Sequence, residues 1–279
     1  MKRRLFCTLT GATAVAGAMS GFSRAARAQD ALTQMKANGV LRIGTETAFA
    51  PFDFIDPSGK HVGFNLDLFA ALGKDLGVKV TYTLLPFEGL LPGLEARRFD
   101  LVGGPLTITK ARMERYRFLP PVSEGTVALL KRRGDSSITK PADIAGKTVG
   151  AGKASAQLAQ LRAFTETLPG KTSIREYVGN NEAYADLAAG RIAAVGNSFP
   201  NVNYVATQRP QVFEVVTPPF GKKTYFGYLG RKDADSAPLL DVLQAALLKL
   251  RADGRLAGLQ KTWIGQSIET PEAVTAPEV

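Results

Sequence analysis

The chain has 279 residues, one cysteine, one histidine and a formal net charge of +10. Five of the cations (Lys2, Arg3, Arg4, Arg24, Arg27) fall in the first 28 residues with no acid among them, so the remainder carries only +5. Its Lys and Arg are scattered among carboxylates, which excludes a nucleic-acid partner, and Cys7 lies in the same opening stretch, which leaves the rest without disulfides, thiolate nucleophiles or cysteine metal sites.

The opening stretch reads as an export signal. Met1-Lys2-Arg3-Arg4 is a charged start, Leu5 to Phe22 is weakly apolar and rich in Ala and Gly, and Ala26-Arg27-Ala28 is a small-x-small cleavage site. A signal peptide is therefore predicted over 1–28, with the mature chain starting at Gln29 and located in the periplasm. Arg3-Arg4 with Phe6 two residues on has a twin-arginine look, which leaves the twin-arginine and general secretory routes both open. A spanning helix needs about 20 predominantly apolar residues. No later segment offers them, so the mature protein is expected to be soluble. Cys7, so early and without a preceding cleavage site, is a poor lipidation site.

About 250 residues remain, enough for one large domain or two ordinary ones. Val40 to Gly44 reads as a buried strand, followed by a loop carrying Pro51, Asp56, Pro57 and Gly59. Leu66, Phe69, Ala70, Gly73 and Leu76 recur at helical spacing, with Gly77 as the stop before a strand from Val78 to Leu84. A helix from Leu90 to Arg97, a strand at Asp100 to Val102 and a helix opened by Thr109 follow. A second run begins with a strand from Val127 to Lys131; the basic Lys131-Arg132-Arg133 at its end reads as a solvated strand end. Next come a strand from Thr148 to Ala151, a helix near Ser155 to Thr167 and a strand from Ile174 to Val178. A helix from Glu182 to Ala189 and strands at Ile192 to Gly196 and Val212 to Val216 complete the run. Tyr225 to Gly230 is extended. Leu239, Leu240, Leu243, Ala246, Leu247 and Leu250 then line one face of a long helix that Gly254 ends. The Pro- and Glu-bearing tail after Gln266 is expected to be disordered. Alternating strands and helices imply βαβ units and a mainly parallel sheet in each of two α/β lobes.

Eight segments in order carry a family resemblance. They are Gly39 to Thr45; Ala50-Pro51-Phe52; Gly59 to Leu68; Phe99 to Val102; Leu106 to Arg112; Asp143 to Gly150; Leu187 to Ile192; and Arg251 to Leu256 with Lys261 to Gly265. Together they resemble the bacterial extracellular solute-binding proteins of family 3, the polar amino-acid receptors of ABC importers, over almost the whole mature length. The resemblance implies a type II periplasmic-binding-protein fold, two α/β lobes joined by two hinge strands. Residues 29–124 and 225–279 would form lobe 1 and 125–224 lobe 2, with crossings near Ser123 to Val127 and Lys222 to Phe226. Ligand would sit in the cleft between them.

Thr109 is a good N-cap, which puts Arg112 in the first helical turn, where the macrodipole disfavours a cation unless an anion is close. The matching family arginine forks onto the ligand's carboxylate, a geometry suited to a planar guanidinium; a salt bridge to Glu114 or Glu88 is the plain alternative. The resemblance also implies that Thr107 helps hold that carboxylate and that Ser155, Ala156 and Gln157, at a helix start after a Gly-containing turn, meet it from the other lobe. It places Phe49 and Phe87 as aromatic or apolar walls, with Phe52 in the core. Glu46 matches a position that often contacts a ligand's distal group; a surface carboxylate is an equal reading.

Two departures stand out. Ser198 takes the place of the Asp that usually binds the ligand's α-ammonium, and Gly103-Gly104-Pro105 lacks a hydroxyl and an N–H that relatives offer. A buried ammonium without a carboxylate is costly, so the expected ligand is a small carboxylate, an amino acid being one case. The expected partners are that ligand and an inner-membrane permease, with the protein a monomer and without cofactor or metal. Two other functions remain open: an enzyme resembling cyclohexadienyl or arogenate dehydratases on the same scaffold, with Glu46, Glu88 or Lys153 as proton carrier, and an accessory or sensory protein that has lost amino-acid binding.

Overall fold

The computed structural model describes residues 30–279; the expected signal peptide lies outside the described residues. Helix α1 (Ala31–Asn38) leads into β1 (Val40–Thr45), then β2 (Ala48–Phe49), β3 (Asp53–Ile55), β4 (His61–Val62), α2 (Phe64–Leu76) and β5 (Lys79–Leu84). After α3 (Leu90–Glu95) come β6 (Leu101–Thr107), α4 (Lys110–Arg115), β7 (Tyr116–Phe118) and β8 (Ser123–Glu124). The second half holds β9 (Val127–Arg132), β10 (Thr148–Gly152), α5 (Ala156–Glu166), β11 (Ser173–Tyr177), α6 (Asn180–Ala188), β12 (Ala194–Ser198), α7 (Phe199–Gln208) and β13 (Phe213–Val216). The chain returns through β14 (Tyr225–Arg231), α8 (Ala237–Ala252) and α9 (Arg255–Ile264).

Two separate sheets result, ordered β5-β1-β6-β14-β7 with β8 also on β14, and β11-β10-β12-β9-β13. Each is parallel on one side only. β1 runs parallel to β5 and β6, and β10 to β11 and β12, whereas β14 and β9 pair antiparallel with their neighbours. The mainly parallel sheet expected from the βαβ pattern is thus a mixed one. The antiparallel strands β14 and β9 adjoin the two passages between the sheets, where the chain enters each lobe from the other. At those passages β8 pairs with β14, Ser123 against Phe226 and Glu124 against Tyr225, and Gly125 donates to the Thr224 carbonyl at 2.8 Å.

Alternation along the strands fills both faces of each sheet. Val195 enters the cluster of Tyr184, Leu187 and Phe213, while Ala194 enters the opposite one with Val149, Leu158 and Leu161. In the first sheet Leu41 and Ile43 pack against Leu68 and Leu72 of α2 and Leu240, Leu243 and Leu247 of α8, while Val102 and Leu106 join Leu90, Leu94 and Phe99. Those leucines of α8 are the apolar face read from the sequence. Gly44 is required where it stands, because a Cβ there would come within 2.3 Å of the Phe99 ring.

Several elements differ from the sequence reading. The loop after β1 contains the three-stranded sheet β2-β3-β4. β6 runs on to Thr107 through Gly103-Gly104-Pro105, past the expected end at Val102, because Pro105 tolerates extended φ and the strand is buried throughout. α7 was not foreseen; Pro200 lies in its first turn, where a missing N–H costs nothing. Lys131 is buried rather than solvated, its Nζ donating to the carbonyls of Asp135 and Ile138 at 3.1 and 2.7 Å. The tail is not free chain: Arg251 donates to Thr270 Oγ1 and the Pro271 carbonyl, both at 2.8 Å, and Pro277 is buried.

Candidate functional site

The C-terminal ends of β1, β6, β10 and β12 face one another across the gap between the two sheets, the place where open α/β sheets leave a crevice. A small cavity of about 30 Å³ lies there, between the lobes as they stand. The lobes touch around it. Gln157 Nε2 donates to Thr107 Oγ1 at 3.3 Å, Asn180 Nδ2 to the Ala48 carbonyl at 3.1 Å, and Asn201 Nδ2 to the Ala50 carbonyl. At the rim Lys153 pairs with Glu88 at 2.9 Å; both are solvent-exposed, so the pair contributes little.

Thr109 caps α4 as its sequence predicts, accepting from Arg112 N at 3.2 Å, and this fixes Arg112 one turn in. The Arg112 guanidinium turns back to donate to the Thr107 carbonyl at 3.0 Å and lies 5.9 Å from the centre of the Phe87 ring. Neither Glu114 nor Glu88 pairs with it, and no carboxylate of the described residues does; Glu88 is taken by Lys153. Burial draws the Arg112 pKa down to about 10, still charged near neutrality. A half-buried cation in a cavity, bound only to a neutral carbonyl, is a ready anion site.

Glu46 follows β1 and also lines the cavity, only 6% exposed, so it is not a surface carboxylate. Burial first, and then the neighbouring Asp53 charge, push its pKa up to about 8. It has no hydrogen bond or ion pair among the described residues. Behind it Asp53 is fully buried, accepting from Asn65 Nδ2 and lying 3.3 Å from His61 Nε2, with Tyr228 donating to Asn65 Oδ1 at 2.6 Å. Burial raises Asp53 to about 6.

Phe49 stacks on Phe52 at 5.4 Å and meets Phe226 edge-on at 5.7 Å, so the aromatic wall is itself held by the lobe 1 core. Phe49, Phe87, Thr107, Ser155 and Gln157 all line the cavity beside Glu46 and Arg112; Phe52 is fully buried behind them. Ala156 and Ser198 are the two expected site residues that do not line it. Ala156 opens α5 and faces an adjoining groove. Ser198 ends β12 fully buried, its hydroxyl without a partner, and the preceding Asn197 takes the lining position instead. Alternation explains the exchange, since one step along a strand reverses the face. Asn180, Val178 and Phe226 also line the cavity, unforeseen by the sequence reading. The Gly179-Asn180 step into α6 was the legible hint for Asn180.

The family profile described as bacterial extracellular solute-binding proteins, family 3, matches residues 41–266. The chain belongs to this family. Its fold is the type II periplasmic-binding-protein fold, two α/β lobes about a cleft. Among similar proteins, the L-cystine-binding protein TcyJ of Escherichia coli (strain K12) is 28% identical over 238 residues, covering 85% of this chain and 87% of that protein. The lysine/arginine/ornithine-binding periplasmic protein of the same strain is 30% identical over 249 residues, covering 87% and 92%. Of solved structures, the ancestral amino acid-binding protein AncCDT-1, a precursor of cyclohexadienyl dehydratase, superimposes with a TM-score of 0.76 at 27% identity over 84% of this chain and 99% of that one. These named relatives are binding proteins. Among the described residues no helix is long and apolar enough to cross a membrane.

Proposed function

We propose that this protein is the exported receptor of an ABC importer, a monomer that closes its two lobes on an amino acid or related small carboxylate and hands it to an inner-membrane permease without chemical turnover. One observation carries the reading: Arg112, charged and lining the interlobe cavity, has no counter-ion among the described residues. A ligand carboxylate would supply it. Thr107 would add its hydroxyl, and Ser155 and Gln157 would approach from α5 as the lobes close. The segments at Ser123 to Val127 and Lys222 to Phe226 would act as the hinge, dividing 29–124 and 225–279 from 125–224, since β8 and β14 pair there with few other elements crossing. The relatives named for cystine, lysine, arginine and ornithine support the substrate class.

A thermal-shift screen of the mature protein against amino acids, amines and organic acids tests the proposal. A ligand at 100 times its Kd adds about 2.7 kcal/mol to stability. No shift with any carboxylate would sink the receptor reading.

A second reading rests on Glu46. A carboxyl group held protonated near neutral pH inside a carboxylate-binding cavity could act as a general acid, as a dehydratase on this scaffold would need. Consumption of prephenate by the purified protein would move this reading ahead of transport.

A further inference from the structure

The charges lining the cavity are unevenly placed. Glu46 is its one carboxylate among the described residues, Arg112 is its one cation without a carboxylate partner, and both belong to lobe 1. The wall that lobe 2 presents offers no anion: its one charge is Lys153, paired with Glu88 at the rim, and its other polar groups are largely engaged. The Asn197 amide donates to Asn180 Oδ1 and to the Tyr184 hydroxyl, both at 3.1 Å, and its own oxygen accepts from Ser198 N at 2.8 Å. Ser155 Oγ donates to the Gly152 carbonyl at 2.7 Å and accepts from Leu158 N at 3.0 Å. An amine held against this wall would find no anion and few free lone pairs, and a buried ammonium in that condition is costly.

The two lobe 1 charges are also anchored at separate points along β6. Glu46 N lies 3.8 Å from the position of a Cβ on Gly104, whereas the Arg112 guanidinium holds the carbonyl of Thr107, three residues further along β6. At the rise of an extended strand those two backbone points are on the order of 10 Å apart. Neither charge contributes to the pKa shift of the other. The amine of an α-amino acid sits one carbon from its carboxyl and cannot span such a gap, while Phe49 and Phe87 offer apolar surface for a methylene chain that does.

Building on the receptor reading above, we propose that the cavity selects a carboxylic acid with one cationic group at the far end of its chain and no amine beside the carboxyl, an ω-guanidino or ω-amino acid. Arg112 takes the carboxylate, Glu46 the distal cation, and lobe 2 closes over the pair with groups that offer no anion. A dibasic α-amino acid carries a second cation for which the pocket has no partner.

Calorimetric titration with 5-guanidinopentanoate, L-arginine, agmatine and L-glutamine tests this. The first two differ only in the α-amine and its charge, agmatine lacks the carboxylate, and L-glutamine lacks the distal cation. The expected order puts 5-guanidinopentanoate at least tenfold tighter than L-arginine, with Glu46→Gln erasing most of its affinity while the thermal midpoint of the unliganded variant stays at or above that of the wild type. L-Arginine or L-glutamine binding more tightly than 5-guanidinopentanoate would overturn the selection rule and leave the carboxylate grip intact. Agmatine matching 5-guanidinopentanoate would instead remove the carboxylate grip on which the rule rests. Binding of neither 5-guanidinopentanoate nor L-arginine overturns the inference as well.

Discussion

The Gln157 amide of α5 reaches across the cleft to donate to the Thr107 hydroxyl of β6, 3.3 Å away. Both residues are buried, and each comes from a different lobe. Such a bond forms only when the lobes meet, so it stabilises the closed state and not the open one. A buried neutral hydrogen bond contributes about 1 kcal/mol net. Gln157→Ala and Thr107→Val should each shift the closed population by about that amount, and the double variant should lose no more than the larger single effect. A double-mutant cycle on ligand dissociation rates, with small-angle scattering for lobe closure, measures it; additive losses would show that the two side chains are uncoupled.

Arg112 carries opposite consequences with and without ligand. Truncating one partner of a buried charge pair costs about 2–5 kcal/mol, so Arg112→Ala should weaken a carboxylate ligand by that range, and Arg112→Lys should recover only part because a point charge cannot fork onto both oxygens. In the unliganded protein the same residue is a desolvated cation held by one carbonyl. Arg112→Met should therefore leave the unliganded thermal midpoint unchanged or raise it, by about 1 kcal/mol at most. Calorimetry for binding and scanning fluorimetry for stability separate the two. A large destabilisation of unliganded Arg112→Met would make the residue structural.

Much of this site was legible before the fold. Thr109 as an N-cap placed Arg112 correctly because capping is local chemistry, readable over four residues. The chain-order match of short segments put Glu46, Phe49, Phe87, Thr107, Ser155 and Gln157 around one cleft. What failed was register. Whether Ser198 or Asn197 faces the cavity depends on one residue of strand alternation, and that is set by the pairing of β12 with β9, Ser198 against Val127, which lies 71 positions away in the chain. Pairing between distant strands leaves no local trace. The small sheet β2-β3-β4 escaped for a related reason, since its strands are two or three residues long, below the length at which alternation is readable.

The stability of the unliganded protein should fall as pH rises from about 5 to about 8. Glu46 titrates at 4.5 when unperturbed and at about 8 here, and Asp53 moves from 3.8 to about 6, burial being the leading cause for both. Between the unfolded and folded values the native state holds a proton that the unfolded state has released, so unfolding becomes easier with each step up in pH. The stabilising contribution is complete below about pH 4 and is lost as Glu46 ionises near pH 8. The charged or titratable neighbours named in these shifts, Asp53, His61 and Tyr184, include no permanent cation to offset the effect. Thermal midpoints across pH 5 to 8 should decline, and Glu46→Gln should flatten the upper half of the profile. A midpoint that climbs over that range would mean Glu46 is ionised in the folded protein.

The tail supplies the last expectation. Gln260 of α9 receives Ile268 N at 3.0 Å, Arg251 of α8 grips Thr270 and Pro271, and the chain then runs along lobe 1 until Lys110 N donates to the Val279 main-chain oxygen at 2.8 Å. Lys222, beside the second passage between the sheets, donates from Nζ to the Glu278 carbonyl at 3.2 Å. The segment after α9 therefore links both C-terminal helices to α4 and to the edge of the other lobe. Arg251 is the anchor, since its guanidinium also donates to the Pro121 carbonyl at 2.6 Å and so ties the tail to the approach to β8. Arg251→Ala removes several charge-assisted bonds at once and should cost about 1.5–3 kcal/mol of stability. It should also release the tail: limited proteolysis with mass spectrometry should give early cuts between Glu269 and Val279 in the variant and late ones in the wild type. Equal cleavage rates in the two proteins would mean that the strap is not held by Arg251.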